Sequence, residues 1–258
     1  MIEELLGFVP QMQSLIWALW LVFLRVGAMV SVLPAFGERS IPMRIRLGIA
    51  LAFTLVVAPA VQGETMPVPP LMEVLELGLP EVLTGLFLGL MLRFFVLALQ
   101  VAGSIAAQST SLSQIFGGSA GADPQPAIGH VLVVAGLALA ALMGLHVQFA
   151  AYIIHSYDLV PQSSILSSTT VKDMGVVAVS RTFALGFVLA APFVIASLLY
   201  NVILGVINKA MPQLMVSFVG APAITAGGLF ILFVSAPVML AVWLDRFAAF
   251  IIAPGAPL

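Results

Sequence analysis

Three histidines, His130, His146 and His155, are the only ones in the chain, and there is no cysteine. His146 and His155 do not stand at the i, i+4 spacing that puts a metal pair on one helix face. With no thiolate, and Asp158 as the nearest carboxylate, a zinc site is not expected. His155 and Asp158 instead read as a helix end near a membrane interface. A phosphate-binding glycine loop is absent from the sequence. No catalytic residue, metal ligand set or cofactor is therefore assigned, and the chain is not expected to be an enzyme. An ion-coupled transporter uses carboxylates within the membrane that exchange protons. Here the acids fall almost entirely between apolar runs, with Glu81 at a segment edge and Asp245 beside Arg246 as a terminal anchor.

The residues that stand out are polar groups in oily surroundings. Arg25 and Arg93 lie near the middle of apolar runs. Each costs about 2.5–3.5 kcal/mol at a bilayer centre on insertion scales. Either they pair internally or snorkel, or their helices do not sit at the depth of a simple six-span bundle. Ser197, Asn201 and Gly205 recur every fourth residue, with Asn208 near the same face. Such a face lines a passage or, more commonly, joins two helices. Gly85 and Gly89 form a GxxxG, and Gly136, Ala140 and Gly144 repeat small residues at the same spacing, marking helix contact faces.

The elements that must position these residues follow from composition. Of 258 residues 62% are hydrophobic and 8% charged, against about 25% charged in a soluble domain. The chain is read as an integral membrane protein. Its net charge of -2 gives no reason to expect nucleic acid. Without cysteine there is no disulfide framework. The opening MIEELLGFVPQMQSLIWALW carries Glu3 and Glu4 where a secretory signal has basic residues, so the first apolar segment is expected to be retained.

Apolar runs fall at about 14–36, 47–61, 82–107, 130–154, 182–207 and 214–251. Helix is expected for each, because backbone polar groups find no water partner in hydrocarbon. A span needs about 20 apolar residues. The 47–61 run falls short of that, and the last run, interrupted by Pro222, Gly227, Gly228 and Pro237, is one kinked helix or a hairpin. The basic connector GERSIPMRIR against an acidic second connector places the first connector in the cytoplasm and the N-terminus outside. Lys172 and Arg181 in the fourth connector run against that orientation.

Between the third and fourth runs lies QSTSLSQIFGGSAGADPQPAIG, residues 108–129, rich in Ser, Gln, Gly and Pro with Asp123 its one charge. Its glycines permit tight bends, and its Ser and Gln side chains can bond backbone groups in a crowded lumen. From composition alone a stopper and an ordinary flexible connector are equally good readings.

Four separated motifs bear on the choice: LPAFGERSIPMRIRLGIALAFTLVVAP (33–59), VAGSIAAQSTSLSQIFGGSAGADPQP (101–126), HVQFAAYIIHSYDLVP (146–161) and INKAMPQLMVSFVGAPAITAGGL (207–229). In this order and spacing the chain resembles the FliR family, the flagellar biosynthesis branch of the type III export gate, over about residues 10–250. The P-x-F-G-x-x-x-I-P-x-R-x-R and PQ-L-x-V-x-x-x-G-x-P patterns are its specific parts.

The resemblance implies an all-α integral membrane protein of about six to eight apolar helices with helical hairpins. It implies a place in a helical hetero-oligomeric export gate in the bacterial inner membrane, within the flagellar basal body and partly raised toward the periplasm. It implies one copy of this subunit beside several of FliP and FliQ, a FliP-like part at 1–175 and a FliQ-like hairpin at 176–258. Further partners implied are a large cytoplasmic export gate protein, a FlhB-type switch protein, unfolded exported substrates and membrane lipid.

It also makes the 108–127 loop a pore plug, assigned to Ser109, Thr110, Ser111, Leu112, Ser113, Gln114, Ile115, Phe116, Gly117 and Gly118, with Ile115 and Phe116 as the apolar stopper. Where the family often has Gly and an apolar residue after the position of Gln108, this chain has Ser109, Thr110 and Ser111. The family's C-terminal region implies a helix–turn–helix, with Pro212 ending one helix after Lys209 and Gly220 with Pro222 shaping a second break. Arg39, Arg44, Arg46, Lys209 and Gln213 are then expected to face partners, the three arginines alternatively anchoring on lipid head groups. A virulence injectisome gate subunit and a small-molecule secondary transporter are the alternative functions.

Overall fold

A computed structural model describes residues 2–38, 41–61, 69–110, 127–211 and 216–253. All regular structure among them is helical: α1 (Ile2–Val32), α2 (Met43–Val61), α3 (Leu71–Ser109), α4 (Ala127–Leu142), α5 (Leu145–Leu159), α6 (Ser168–Ala210) and α7 (Val216–Ile252). Five of these are long and apolar enough to cross a membrane, and six spans result if the broken pair α4–α5 counts as one. The all-α membrane class expected from composition is the class found.

Four differences between the helices and the hydropathy runs bear on the site. The short second run gains a turn at its N-terminus, giving a 19-residue helix that meets the length of a span. Helix α3 starts at Leu71, well before 82, because Glu73 and Glu76 are good helix formers that hydropathy discards. The 130–154 run is not continuous. It breaks at Met143–Gly144, where Gly144 takes φ 78° and ψ 37°, the left-handed region that glycine enters without a Cβ penalty. The last run is one helix from Val216 to Ile252, passing through Gly220, Pro222 and Pro237 without the expected break.

Hydroxyls in these helices bond their own backbone. Thr54, Ser104, Thr182 and Ser235 each donate to the carbonyl four residues back, at 2.7–2.8 Å. In apolar surroundings this satisfies the hydroxyl without another element.

The chain divides into two compact units. The first draws on residues up to Arg93, on 143–177 and on 248–258. There α2 packs back on α1 and reaches α5. Gly85 and Gly89 of α3 lie against the α1 backbone, where a Cβ at Gly89 would come within 2.9 Å of the Met29 carbonyl oxygen. Phe36 is set edge-on to Phe53 and Phe149. Tyr152 donates to the Leu88 carbonyl at 3.2 Å and meets Phe250. Val26, Met29, Leu33, Val57, Leu92 and Ile153 complete a dry core.

The second unit comprises residues 94–142 and 178–247. Its centre is Trp243, fully buried, stacked on Phe247 and donating its indole N–H to the Phe95 carbonyl at 2.8 Å. Gly136 faces Trp243 and Leu99, so the expected small-residue contact of α4 holds for Gly136 and the buried Ala140, while Gly144 serves as the helix break. Gly186 of α6 sits over Val101, and no Cβ would fit there without displacing it.

Candidate functional site

Arg25 and Glu81 are both fully buried. Nε of Arg25 donates to Oε2 of Glu81 at 2.6 Å and Nη2 to Oε1 at 3.1 Å, a two-pronged ion pair. The remaining guanidinium N–H groups go to the end of α5. Nη1 donates to the Val160 carbonyl at 2.9 Å and to the Ser156 carbonyl at 3.3 Å, and Nη2 to the Pro161 carbonyl at 3.3 Å. Val160 and Pro161 follow the last residue of α5, and the Ser156 carbonyl also accepts the Val160 N–H at 3.0 Å. Glu81 in turn accepts the Ser163 N–H at 2.6 Å, and the Tyr157 ring lies 3.8 Å from the Arg25 Cζ. Arg25 is thus paired inside the chain. Glu81 lies well inside α3 and not at its edge, because the helix begins at Leu71, well before its apolar run.

The connector after α1 is the basic motif read from sequence. Ala35 holds φ 67°, and the Gly37 N–H returns to the Leu33 carbonyl at 2.7 Å. A Cβ at Gly37 would stand 2.6 Å from the Ser31 carbonyl oxygen, so the turn accepts only glycine. Two arginines converge on it. Arg46 Nη2 donates to the Glu38 and Ile41 carbonyls at 2.8 and 3.1 Å. Arg93 Nη1 donates to the Val32 carbonyl at 3.3 Å and lies 4.0 Å from the Glu38 carboxylate. Both are half-buried clamps on the connector, whereas Arg44 points outward and is exposed.

At the far end of α3 the described chain approaches the 108–127 loop from both sides. Ser109 is the last residue of α3, its hydroxyl donating to the Ile105 carbonyl at 2.8 Å. Thr110 follows, 3% exposed, with its hydroxyl on the Ala106 carbonyl at 2.9 Å. Its methyl lies against Gly228 of α7, so close that a Cβ at Gly228 would overlap it. Beyond the loop, Gly129 in the first turn of α4 lies backbone to backbone on Gly103 of α3. The chain therefore leaves α3 at a seated threonine and returns to the same helix about two turns back, near 10 Å along its axis at ~1.5 Å per residue.

The other sequence-predicted residues are not gathered into this arrangement. Asn201 and Lys209 are exposed on α6, where Asn201 donates to the Ser197 carbonyl at 2.9 Å and Lys209 occupies the last turn. Arg39, Ser111, Leu112, Ser113, Gln114, Ile115, Phe116, Gly117, Gly118 and Gln213 lie outside the described residues. Sequence reasoning missed Glu81 and Gly228. The first was signalled by the need of Arg25 for a counter-ion. The second had no signal beyond a glycine pair in an apolar helix. Among the described residues no cluster of three or more His, Asp or Glu side chains is placed to hold a metal.

Comparison with known proteins bears on what this geometry serves. Residues 16–250 match the family described as bacterial export proteins, family 1. The chain is 36% identical over 231 residues to the flagellar biosynthetic protein FliR of Caulobacter vibrioides, covering 88% of this chain and 91% of that protein. It is 28% identical over 218 residues to the protein of that name from Escherichia coli, covering 82% and 83%. Against the one from Bacillus subtilis it is 27% identical over 214 residues, covering 80% of each. Matched from the first half of α1 to the end of α7, the chain belongs to the bacterial export proteins of family 1.

Proposed function

We propose that this chain is a membrane subunit of the flagellar protein-export apparatus and, more finely, the single-copy subunit that forms the export channel with FliP and FliQ. The observation that carries the reading is the family match along 16–250, together with relatives all bearing a flagellar name. Those names favour a flagellar over an injectisome gate. In this reading the protein works by interaction and conduction, passing unfolded substrate chains across the inner membrane, with parts of it raised toward the periplasm. Residues 1–175 form a FliP-like part and 176–258 a FliQ-like hairpin. The large cytoplasmic export protein and a FlhB-type switch protein contact the assembly from the cytoplasmic side, where Arg39, Arg44, Lys209 and Gln213 face partners.

The 108–127 loop helps plug the closed channel. Support comes from its base: Thr110 seated on α7 and Gly129 on α3 present the intervening, nearly uncharged residues from one helix end. A plug that must yield to a passing chain is better built without buried ion pairs, whose disruption costs about 3–5 kcal/mol. Two measurements test the reading. Native mass spectrometry of the gently extracted complex should give one copy of this chain with several copies each of two smaller membrane proteins; a monomer or homo-oligomer removes it. Deleting 110–120 should make the assembled gate leak ions, and an assembled deletion variant that stays tight removes the plug.

A further inference from the structure

We infer that Gly228 is a positioning residue for the closed gate: it is the seat that fixes where the plug loop leaves α3. This rests on the plug reading above and assigns it a determinant on another helix. Helix α7 carries two consecutive glycines, Gly227 and Gly228, in an otherwise apolar stretch. Glycine within a helix is less stable than alanine, so a pair of them asks for a reason. Their surroundings differ. A Cβ at Gly227 would meet nothing within 4 Å. A Cβ at Gly228 would overlap the Thr110 methyl, lie 2.7 Å from the Thr110 Cβ and 3.3 Å from its Oγ1. Only the second glycine is used by this chain as a close-approach site.

The other side of the contact is equally fixed. The Thr110 N–H and hydroxyl both return to the Ala106 carbonyl, at 3.1 and 2.9 Å. With its oxygen held on its own helix, the side chain presents its methyl to α7. The residue cannot turn away from an intruding Cβ without breaking that hydroxyl bond. A methyl group added at 228 therefore acts on Thr110 as a whole, and moves the point from which residue 111 departs.

The test compares alanine at the two neighbouring positions in the assembled gate, reading potassium conductance in vesicles. Gly228→Ala should raise conductance several-fold over the native gate. Gly227→Ala, with the same gain in helix propensity, should leave it unchanged. Adding Thr110→Gly to Gly228→Ala removes the opposing side chain and should return conductance toward the native value. Gly228→Ala gates that assemble and stay tight, or a double variant as leaky as the single, overturn the inference.

A second readout does not depend on leak. The chain has no cysteine, so Thr110→Cys gives one buried thiol. A water-soluble maleimide should label it slowly in the solubilised complex, and faster once Gly228→Ala is added. Unchanged labelling overturns the seat. If labelling quickens without leak while the 110–120 deletion leaks, the plug reading stands and the seat falls. If neither variant leaks, the plug reading falls and takes this inference with it. Should Gly228→Ala fail to assemble, Thr110→Ser deletes only the methyl that fills the seat. A small rise in conductance is then expected, and a native value overturns the inference.

Discussion

Arg25 brings a guanidinium with five N–H donors into a fully buried site. Its burial is tolerable because its N–H groups end on a carboxylate and on carbonyls at and just beyond the end of α5. Glu81 is held by the same arrangement, accepting Arg25 and the Ser163 N–H. Removing one partner of such a pair costs about 3–5 kcal/mol, because the other charge stays buried and uncompensated. Arg25→Leu and Glu81→Leu should therefore each lower the temperature at which the purified complex loses its monodisperse elution peak. The double variant should lose less than the sum of the two, since it leaves no orphan charge. Losses that simply add would mean the two side chains are not energetically coupled.

At the scale of elements, α3 is the helix against which others are measured. Its first half meets the α1 backbone through Gly85 and Gly89, and its second half presents Val101 to Gly186 of α6. Association of helices in lipid depends on close van der Waals approach, because burial gains little over contact with lipid tails. Gly89→Val should therefore separate α1 from α3 and sharply reduce both the yield of the assembled export complex and swimming on soft agar. Gly48→Ala and Gly175→Ala, where a Cβ meets nothing within 4 Å, should leave yield near the native level. Equal losses at all three positions would remove the claim that α1–α3 contact is the cause.

What the sequence made legible at this scale was local. The GxxxG of α3 repeats within two turns, and its contact role could be read directly. The partner of Arg25 lies on another helix, and hydropathy trimmed Glu81 to a segment edge because the preceding turns are acidic. The break at Gly144 was hidden for a related reason: apolar residues continue on both sides, so only the backbone angle reveals it. The Thr110–Gly228 contact joins the end of α3 to the interior of α7, distant in the chain, and no periodicity encodes such a meeting.

For the molecule as a whole, the informative quantity is how unevenly its apolar surface is covered. Over its most apolar stretch α3 is 56% buried within the chain, but α6 is 17% buried. Leu198, Leu199, Val202, Ile203 and Val206 of α6 are all exposed. Lipid would cover these alone. It would not suit Asn201, Gly205 and Asn208, which share one face of the same helix and are also exposed. The Asn201 amide returns one N–H to the Ser197 carbonyl, and a carboxamide has further bonding capacity. Leaving polar capacity unused in hydrocarbon costs about 1–3 kcal/mol on mutational scales, whereas a neighbouring helix can use it and can approach closely at Gly205. The polar face of α6 is thus expected to be covered by another protein of the export complex, and the opposite face, at Leu199 and Val206, by lipid. A photo-reactive amino acid placed at each position in turn separates the two. Irradiating the assembled export complex should give a discrete higher-mass protein adduct from positions 201 and 205 and none from 199 and 206. Protein adducts from every position would mean the helix is enclosed on all sides. Adducts from none, with the assembly intact on a native gel, would mean that lipid or water reaches the polar face, and that this face of α6 is not a subunit joint.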